Sequence, residues 1–332
     1  MKQKAISLMS GGLDSTVATK VILDQQIEVT GVHFTSLFIS RKDRGKNLRA
    51  IQTASELGIR LLVLDKGPEF LEMVKHPRYG YGKNMNPCID CRIFMLQKTR
   101  ELMESENAQF VITGEVLGQR PMSQRRDTIE RIERESGLQG RILRPLSAYH
   151  FPPTIPEQEG IVDRARLLNI SGRSRRIQYE LVKKYGLKAF HHPGSGCLLT
   201  DPIFSKKLRV LFTTDPDCTM KDIELLTIGR NFRLDHNTKL TIGRNKEENE
   251  IIQGMWEPGY TLISPMGFKG PQAILKGPLQ GDILKYAAHL IAYFAKYDGE
   301  TIQINIHNGS TSTHEFQKTT VDPDVFLIGE DA

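Results

Sequence analysis

The sequence predicts an α/β protein, with a parallel-sheet domain over residues 1–205 followed by a small α+β module over residues 206–332. Three observations carry that expectation. Strand-like and helix-like segments alternate from Lys4 to Thr113, a glycine-rich turn joins the first strand to the first helix, and beyond Arg141 the alternation lapses into prolines and irregular spacing. Alternation of this kind implies parallel strands joined by crossover helices on both faces of a sheet, with ligands at the carboxyl ends of the strands.

Taken in order, Lys4 to Met9 reads as a buried strand, and Val17, Val21 and Ile22 give Thr16 to Gln25 a helical period. Glu28 to Phe34 is rich in β-branched residues, Leu48 to Leu57 is helical, Arg60 to Leu64 is a strand, Ile93 to Glu104 a helix and Phe110 to Thr113 a further strand. Pro145 to Tyr149 and Pro152, Pro153 and Pro156 mark a connector, followed by a helical stretch, Ile161 to Leu168, and a basic segment ending at Tyr185. The main boundary falls near Phe204 to Arg209. Leu226 to Asn231 is nearly repeated as Leu240 to Asn245, which suits two short β segments better than a repeat array. Strands at Tyr260 to Ile263, Gln272 to Leu275 and Thr301 to Ile306, with an amphipathic helix from Gly281 to Lys296, complete the module.

At 332 residues the chain is longer than one core usually supports. With 39% apolar and 25% charged residues its composition is that of a globular protein, and no apolar run approaches the roughly 20 residues of a membrane span. The stretch from Met1 to Met9 runs directly into a strand pattern, unlike a signal peptide, so a cytoplasmic location without membrane attachment is expected. Four cysteines (Cys88, Cys91, Cys197, Cys218) are too few for a disulfide scaffold, and cytosolic thiols stay reduced, which points to chemistry for some of them. Cys218, in an Asp-Pro-Asp-Cys turn, is read as incidental. The net charge of +6 favours polyanionic partners. Basic residues crowd three stretches: Arg41 to Arg49, Arg120 to Arg134, and Arg164 to Lys184 with Arg173, Arg175 and Arg176 at its centre. Solvated helix faces are the plain alternative for each.

The first strand leads into Ser10-Gly11-Gly12-Leu13-Asp14-Ser15, and a helix follows at once. Gly11 and Gly12 allow close backbone approach to an anion, the helix start offers free N–H groups and a positive dipole end, and Ser10, Ser15 and Thr16 add hydroxyls. The loop has neither the lysine of a Walker A motif nor the GxGxxG of dinucleotide folds. Its motif, position and context together resemble the PP-loop ATP pyrophosphatases, of the adenine nucleotide alpha hydrolase type, which cleave ATP between the α and β phosphates. That resemblance implies ATP binding by Ser10 to Thr16, adenine near Phe34 and Gly114, and Asp14 orienting a magnesium ion or the triphosphate.

Asn86-Pro87-Cys88-Ile89-Asp90-Cys91 precedes a helix, whose positive end favours thiolates at both cysteines. A CxxC spacing suits zinc or an iron–sulfur cluster, and buried reduced thiols are a third possibility. Cys197, among Gly194, Ser195 and Gly196, is a third candidate ligand. Cys88, Cys91 and Cys197 together, with Thr113 to Gln119 and Ser123-Gln124, resemble the iron–sulfur-dependent branch of the tRNA thiolation enzymes, which includes 4-thiouridine synthases. There the three thiolates hold a 4Fe-4S cluster. The resemblance implies tRNA as partner and a sulfur donor, either sulfide or a cysteine desulfurase. A homodimer is admitted as well. Two alternatives stand beside it: sulfur transfer to a small molecule or through a Cys197 persulfide, and an RNA-binding translation accessory protein with a vestigial ATP site.

His191 and His192 are weighed as metal ligands against structural histidines, and Glu115 as a metal- or substrate-positioning carboxylate against a surface or helix-capping role. Leu240 to Asn245 with Glu248 and Asn249, then Gly270 to Ile274, resembles the NFACT-R type of RNA-binding domain. Arg230, Arg233, Arg244 and Lys246 are assigned to RNA phosphates on that basis, and Arg173, Arg175 and Arg176 from the basic run that holds them. Trp256 and Phe268 are set between base stacking and core packing.

Overall fold

The computed structural model describes residues 3–39, 47–190 and 197–328, and the chain divides into two compact units, Met1–Thr200 and Asp201–Ala332. The first carries β1 (Lys4–Leu8), β2 (Glu28–Thr35), β3 (Leu61–Asp65), β4 (Phe110–Ile112) and β5 (Ile142–Leu143). Its helices are α1 (Leu13–Leu23), α2 (Asn47–Leu57), α3 (Gly67–Lys75), α4 (Cys88–Glu106), α5 (Arg126–Glu135), α6 (Ile155–Gln158) and α7 (Arg176–Tyr185). The strands lie in the order β3-β2-β1-β4-β5, every neighbouring pair parallel.

The pleat divides the apolar residues of the central strands between two cores. Ala5, Phe110 and Ile112 pack with Val17 and Val21 of α1 on one face, while Ile6, Leu8 and Val111 pack with Ile93 and Leu96 of α4 on the other. A strand buried on both faces reads as a continuous apolar run, which is why these strands were legible. The chain passes from β1 outward to β2 and β3, then returns to the far side of β1 as β4, so the loops after β1 and β4 diverge over a crevice.

Local geometry departs from expectation in three places. First, α1 starts at Leu13 rather than Thr16, because the Gly12 carbonyl already accepts from the Thr16 amide at 3.1 Å. Second, Ile161 to Leu168 is not a helix and holds only a 3-10 turn at Arg164–Arg166. Its two anchors, Val162 and Leu167, are buried separately, and the amides of Leu168 and Ile170 donate to Pro145 and Leu146 of the connector. Third, the break between units falls at Thr200 and Asp201, while Phe204 to Arg209 lies inside α8 (Pro202–Thr214), whose first turn is capped by Asp201 accepting from the Phe204 amide at 2.7 Å.

The second unit also contains α9 (Met220–Leu226), α10 (Lys246–Gly254) and α11 (Ile283–Ala295). Its antiparallel sheet comprises β6 (Arg230–Arg233), β7 (Lys239–Ile242), β8 (Tyr260–Met266), β9 (Ala273–Lys276), β10 (Thr301–His307) and β11 (Thr311–Gln317), in the order β11-β10-β8-β9-β7-β6. Ala287, Leu290 and Ile291 of α11 pack on Ile263, Ile302 and Ile304. The near-repeat is not two equivalent segments. Its first copy crosses from the end of α9 into β6, the second is β7 and the turn into α10, and the two pair antiparallel with Arg230 opposite Ile242.

Candidate active site

Between β1 and α1 the chain turns at Gly11, whose φ of +68° is left-handed backbone that suits glycine. Gly12 is the N-cap of α1, and no side chain caps that helix. Its first amides are therefore left for an anion, at the positive end of the helix dipole. The Ser15 hydroxyl folds back to the Gly12 carbonyl at 3.0 Å and accepts from the Ser10 amide at 3.3 Å, which fixes the loop without using those amides. Gly114, beyond β4, approaches so closely that a Cβ there would lie 2.5 Å from the Ser15 nitrogen. The phosphate loop is thus held from the neighbouring strand.

These residues open on a pocket of about 420 Å³ in the first unit, a size typical of ligand sites. Ser10, Gly12, Leu13, Asp14 and Ser15 line it, with Phe34 of β2 and Gly114. Thr16 does not: it is buried and its hydroxyl donates to the Gly12 carbonyl at 2.9 Å. Gly11 is likewise turned away, facing the backbone of Ala50.

Positive charge gathers at the same mouth. Arg92, Arg120 and Arg175 all line the pocket. Arg175, assigned to RNA from sequence, is turned inward instead, its Nε donating to Asp14 Oδ2 at 3.4 Å, and Gln178 donates to Asp14 Oδ1 at 3.3 Å. Burial raises the Asp14 carboxyl above its ordinary range, and the Arg175 charge offsets only part of that. Desolvation, with repulsion from Arg92 and Arg175, lowers Arg120, for which no ion pair is found among the described residues. Clustered cations that repel one another at a helix N-terminus form a site suited to a polyanion.

Glu115 belongs to the support of this cluster. It is buried, its carboxylate accepting from Arg144 Nε at 3.2 Å and Thr113 Oγ1 at 3.2 Å and pairing with Arg92 Nε at 3.3 Å. The surface role is therefore excluded. Burial would raise this carboxyl, yet Arg92 and Arg144 together hold it below the ordinary carboxylate range.

Cys88, Cys91 and Cys197 reach the same pocket. Cys88 and Cys91 occupy the first turn of α4, and Cys197 is brought in by a bridge to Ile39. The helix dipole does not carry the day as expected from sequence: burial, then repulsion from Cys91, pushes the Cys88 thiol up, and burial pushes Cys197 to about 11. Lys66, directly after β3, donates to the Cys91 sulfur at 3.2 Å. Among the described residues no group of three His, Cys, Asp or Glu side chains is drawn together closely enough to hold a metal ion, so the sulfurs form an open wall rather than a finished chelate.

Elsewhere, Arg173 is exposed and Arg176 pairs with Glu180 on the surface of α7. Arg244 is engaged by Glu248, which also accepts from its amide at 2.8 Å, an arrangement that shapes the start of α10. Phe268 stacks on Tyr297 at 4.1 Å against the second core, and the Trp256 indole donates to the Tyr260 carbonyl at 3.1 Å and leans on His307. Phe268 is thus a packing residue. Cys218 is buried. His191, His192, Arg41, Lys42, Arg44 and Lys46 lie outside the described residues. Lys66, Arg92 and His33, which also lines the pocket, were not singled out from sequence. The available signal was position: Lys66 directly follows a strand at the carboxyl edge, and Arg92 adjoins the CxxC.

A parallel sheet with an uncapped glycine loop at its switch point, opposed by arginines, defines a PP-loop nucleotide-binding protein. A family model described as thiamine biosynthesis protein (ThiI) matches residues 1–168, and one described as NFACT protein RNA binding domain matches residues 229–325. The chain belongs to the ThiI family. Among curated relatives, the tRNA-specific 2-thiouridylase MnmA of a Nitratiruptor species is 38% identical over 120 residues, 34% of this chain and 35% of the relative. A probable tRNA sulfurtransferase of Anoxybacillus flavithermus is 33% identical over 119 residues, 35% of this chain and 29% of the relative. The chain thus spans about a third of the length of the curated relatives it matches. A solved 4-thiouridine synthetase–RNA complex with bound ATP aligns at 24% identity and a TM-score of 0.37, over 68% of this chain and 53% of that one. No described helix is long and apolar enough to cross a membrane.

Proposed function

We propose that the protein is an ATP-dependent tRNA uridine thiolase, releasing AMP and pyrophosphate. The observation that carries this reading is the convergence of an uncapped phosphate loop and three cysteines on one pocket. Family membership supports ATP as the substrate, and the names of the curated relatives support tRNA. ATP lies with its phosphates on Ser10 to Ser15 and its adenine toward Phe34 and Gly114. Asp14 would hold a magnesium ion that accompanies the triphosphate, and Arg175 beside it would face the phosphates.

In the first step the uridine carbonyl oxygen attacks the α-phosphorus, and the bond to the β-phosphate oxygen breaks. Loop amides, Arg120 and Arg175 stabilise the charge that builds on departing pyrophosphate, and such preorganised donors commonly contribute the largest share of catalysis. In the second, hydrosulfide from the donor attacks the activated ring carbon, the carbon–oxygen bond breaks with AMP leaving on the oxygen, and the sulfur loses its proton to water. The three thiols fit a 4Fe-4S cluster by donor type, being soft sulfurs on one wall; Cys88, Cys91 and Cys197 would hold it, and when bound it supplies an iron that carries sulfide. A Cys197 persulfide is the second route, at a thiol that burial pushes up to about 11. Exposed Arg173 and Arg176 offer phosphate contacts to tRNA, and the second unit adds RNA affinity.

Two substitutions separate the halves of the site. Asp14→Asn is expected to suppress both pyrophosphate release and thionucleoside formation at least about a hundredfold. Cys197→Ser is expected to keep ATP- and tRNA-dependent pyrophosphate release while abolishing thiouridine, read by mass spectrometry of tRNA nucleosides. Pyrophosphate release that ignores tRNA would favour a small-molecule acceptor. No release at all would leave an RNA-binding protein with an idle ATP site.

A further inference from the structure

We propose that Lys66 is a positioning residue for the sulfur half of the site, donating to the Cys91 sulfur and offsetting the negative charge that three thiolates and their bound cluster bring together. The inference rests on the cluster reading above and adds to it a residue that lies outside the cysteine motif.

The geometry of Lys66 is specific. It follows β3 at the carboxyl edge of the sheet and lines the pocket with the three cysteines. Its Nζ donates to Cys91 Sγ at 3.2 Å and stands 4.3 Å from the centre of the Phe70 ring. Phe70 is buried and makes an edge contact with Phe94 at 5.4 Å and a tilted one with Phe38 at 6.0 Å. Phe38 precedes the residue that bridges to Cys197. The ammonium thus rests on an aromatic floor shared by the segments that bring the cysteines in, and its charge is also felt at Cys197.

No carboxylate among the described residues forms an ion pair with Lys66. A half-buried cation held by a ring and a sulfur keeps its charge for the sulfurs, and apolar surroundings strengthen that attraction. Of the pocket arginines, Arg92 pairs with Glu115 and Arg175 with Asp14, while the charges of Arg120 and Arg92 are felt at Cys88. Hydrogen bonds and charge near cluster sulfurs set reduction potential, because a neighbouring cation favours the more negative, reduced state.

The test uses the full chain, reconstituted anaerobically with ferrous iron and sulfide, as wild type, Lys66→Met and Lys66→Arg, with ATP binding as the check on folding. Lys66→Met is expected to carry a cluster whose reduction potential, from a dithionite redox titration followed by absorbance, is more negative than that of the wild type. Lys66→Arg is expected to restore most of the difference. Failure of Lys66→Met alone to take up iron also supports the inference, since the charge is then needed for assembly. Equal potentials in all three proteins overturn it, as does loss of iron from both variants with ATP binding intact, which would assign the effect to the side-chain stem. Wild type that takes up no iron overturns the cluster reading itself.

Discussion

Gly114→Ala is expected to cut ATP-dependent pyrophosphate release by about a hundredfold or more while leaving the protein folded, the scale of loss that follows from displacing a catalytic group by about 1 Å. The added Cβ would meet the Ser15 nitrogen at 2.5 Å, the Asp14 carbonyl carbon at 2.6 Å and the Ser15 Cα at 2.7 Å. All three are backbone atoms, so no side chain can swing aside. Either the chain after β4 or the first turn of α1 must move, and the second carries the amides proposed to hold the phosphates. Gly254→Ala, in α10 with open space around it, is the matched control and should be silent. Steady-state release assays with far-ultraviolet circular dichroism on both variants decide the matter. Full turnover in Gly114→Ala would show that the contact between the two loops does not hold the site.

The largest effect on stability is expected at Glu115. Glu115→Ala removes one partner from a buried pair and leaves Arg144, itself 4% exposed, with Glu133 alone among the described residues to neutralise it. Breaking such a pair costs about 3–5 kcal/mol, a large part of the stability of an ordinary domain. Urea unfolding monitored on the first unit should show a midpoint lowered to match, and Arg92, freed from Glu115, should weaken ATP binding in whatever fraction remains folded. A pH dependence follows with a definite sign. Since the folded-state carboxyl lies below its unfolded value, its contribution is complete above the unfolded value and is lost as pH falls through the folded one. The gap in stability between wild type and Glu115→Ala should therefore close in acid. A gap that stays constant down to strongly acidic pH would mean that the ion pair contributes nothing.

The two halves of the site were legible to different degrees. The glycine loop is legible because its geometry is local: a buried strand, two glycines and a helix start within a few residues leave amides free at the positive end of a helix. The Cys88–Cys91 pair is local in the same way, and helical spacing placed it at a helix start. Their electrostatics was not legible. Dipole reasoning favoured thiolates at the CxxC, but the extent of burial, set by what packs around the turn, pushes Cys88 the other way. Glu115 illustrates the same limit, since from sequence it stays open between a positioning carboxylate and a surface or helix-capping one until Arg92 and Arg144 close over it. Arg175 reads as one more charge in a basic run, and only the turn into α7 aims it at Asp14.

By itself, the sequence determined what depends on neighbours along the chain: the alternating elements, the sheet they imply, the uncapped loop and the family that loop belongs to. Tertiary structure alone decided which distant residues share a pocket. The order β3-β2-β1-β4-β5 sets Gly114 against Ser15, Lys66 against Cys91 and Cys197 near both cysteines of α4. The physical reason is that charge, desolvation and close contact act through space, and the distances that fix their size are made only when the strands are laid side by side.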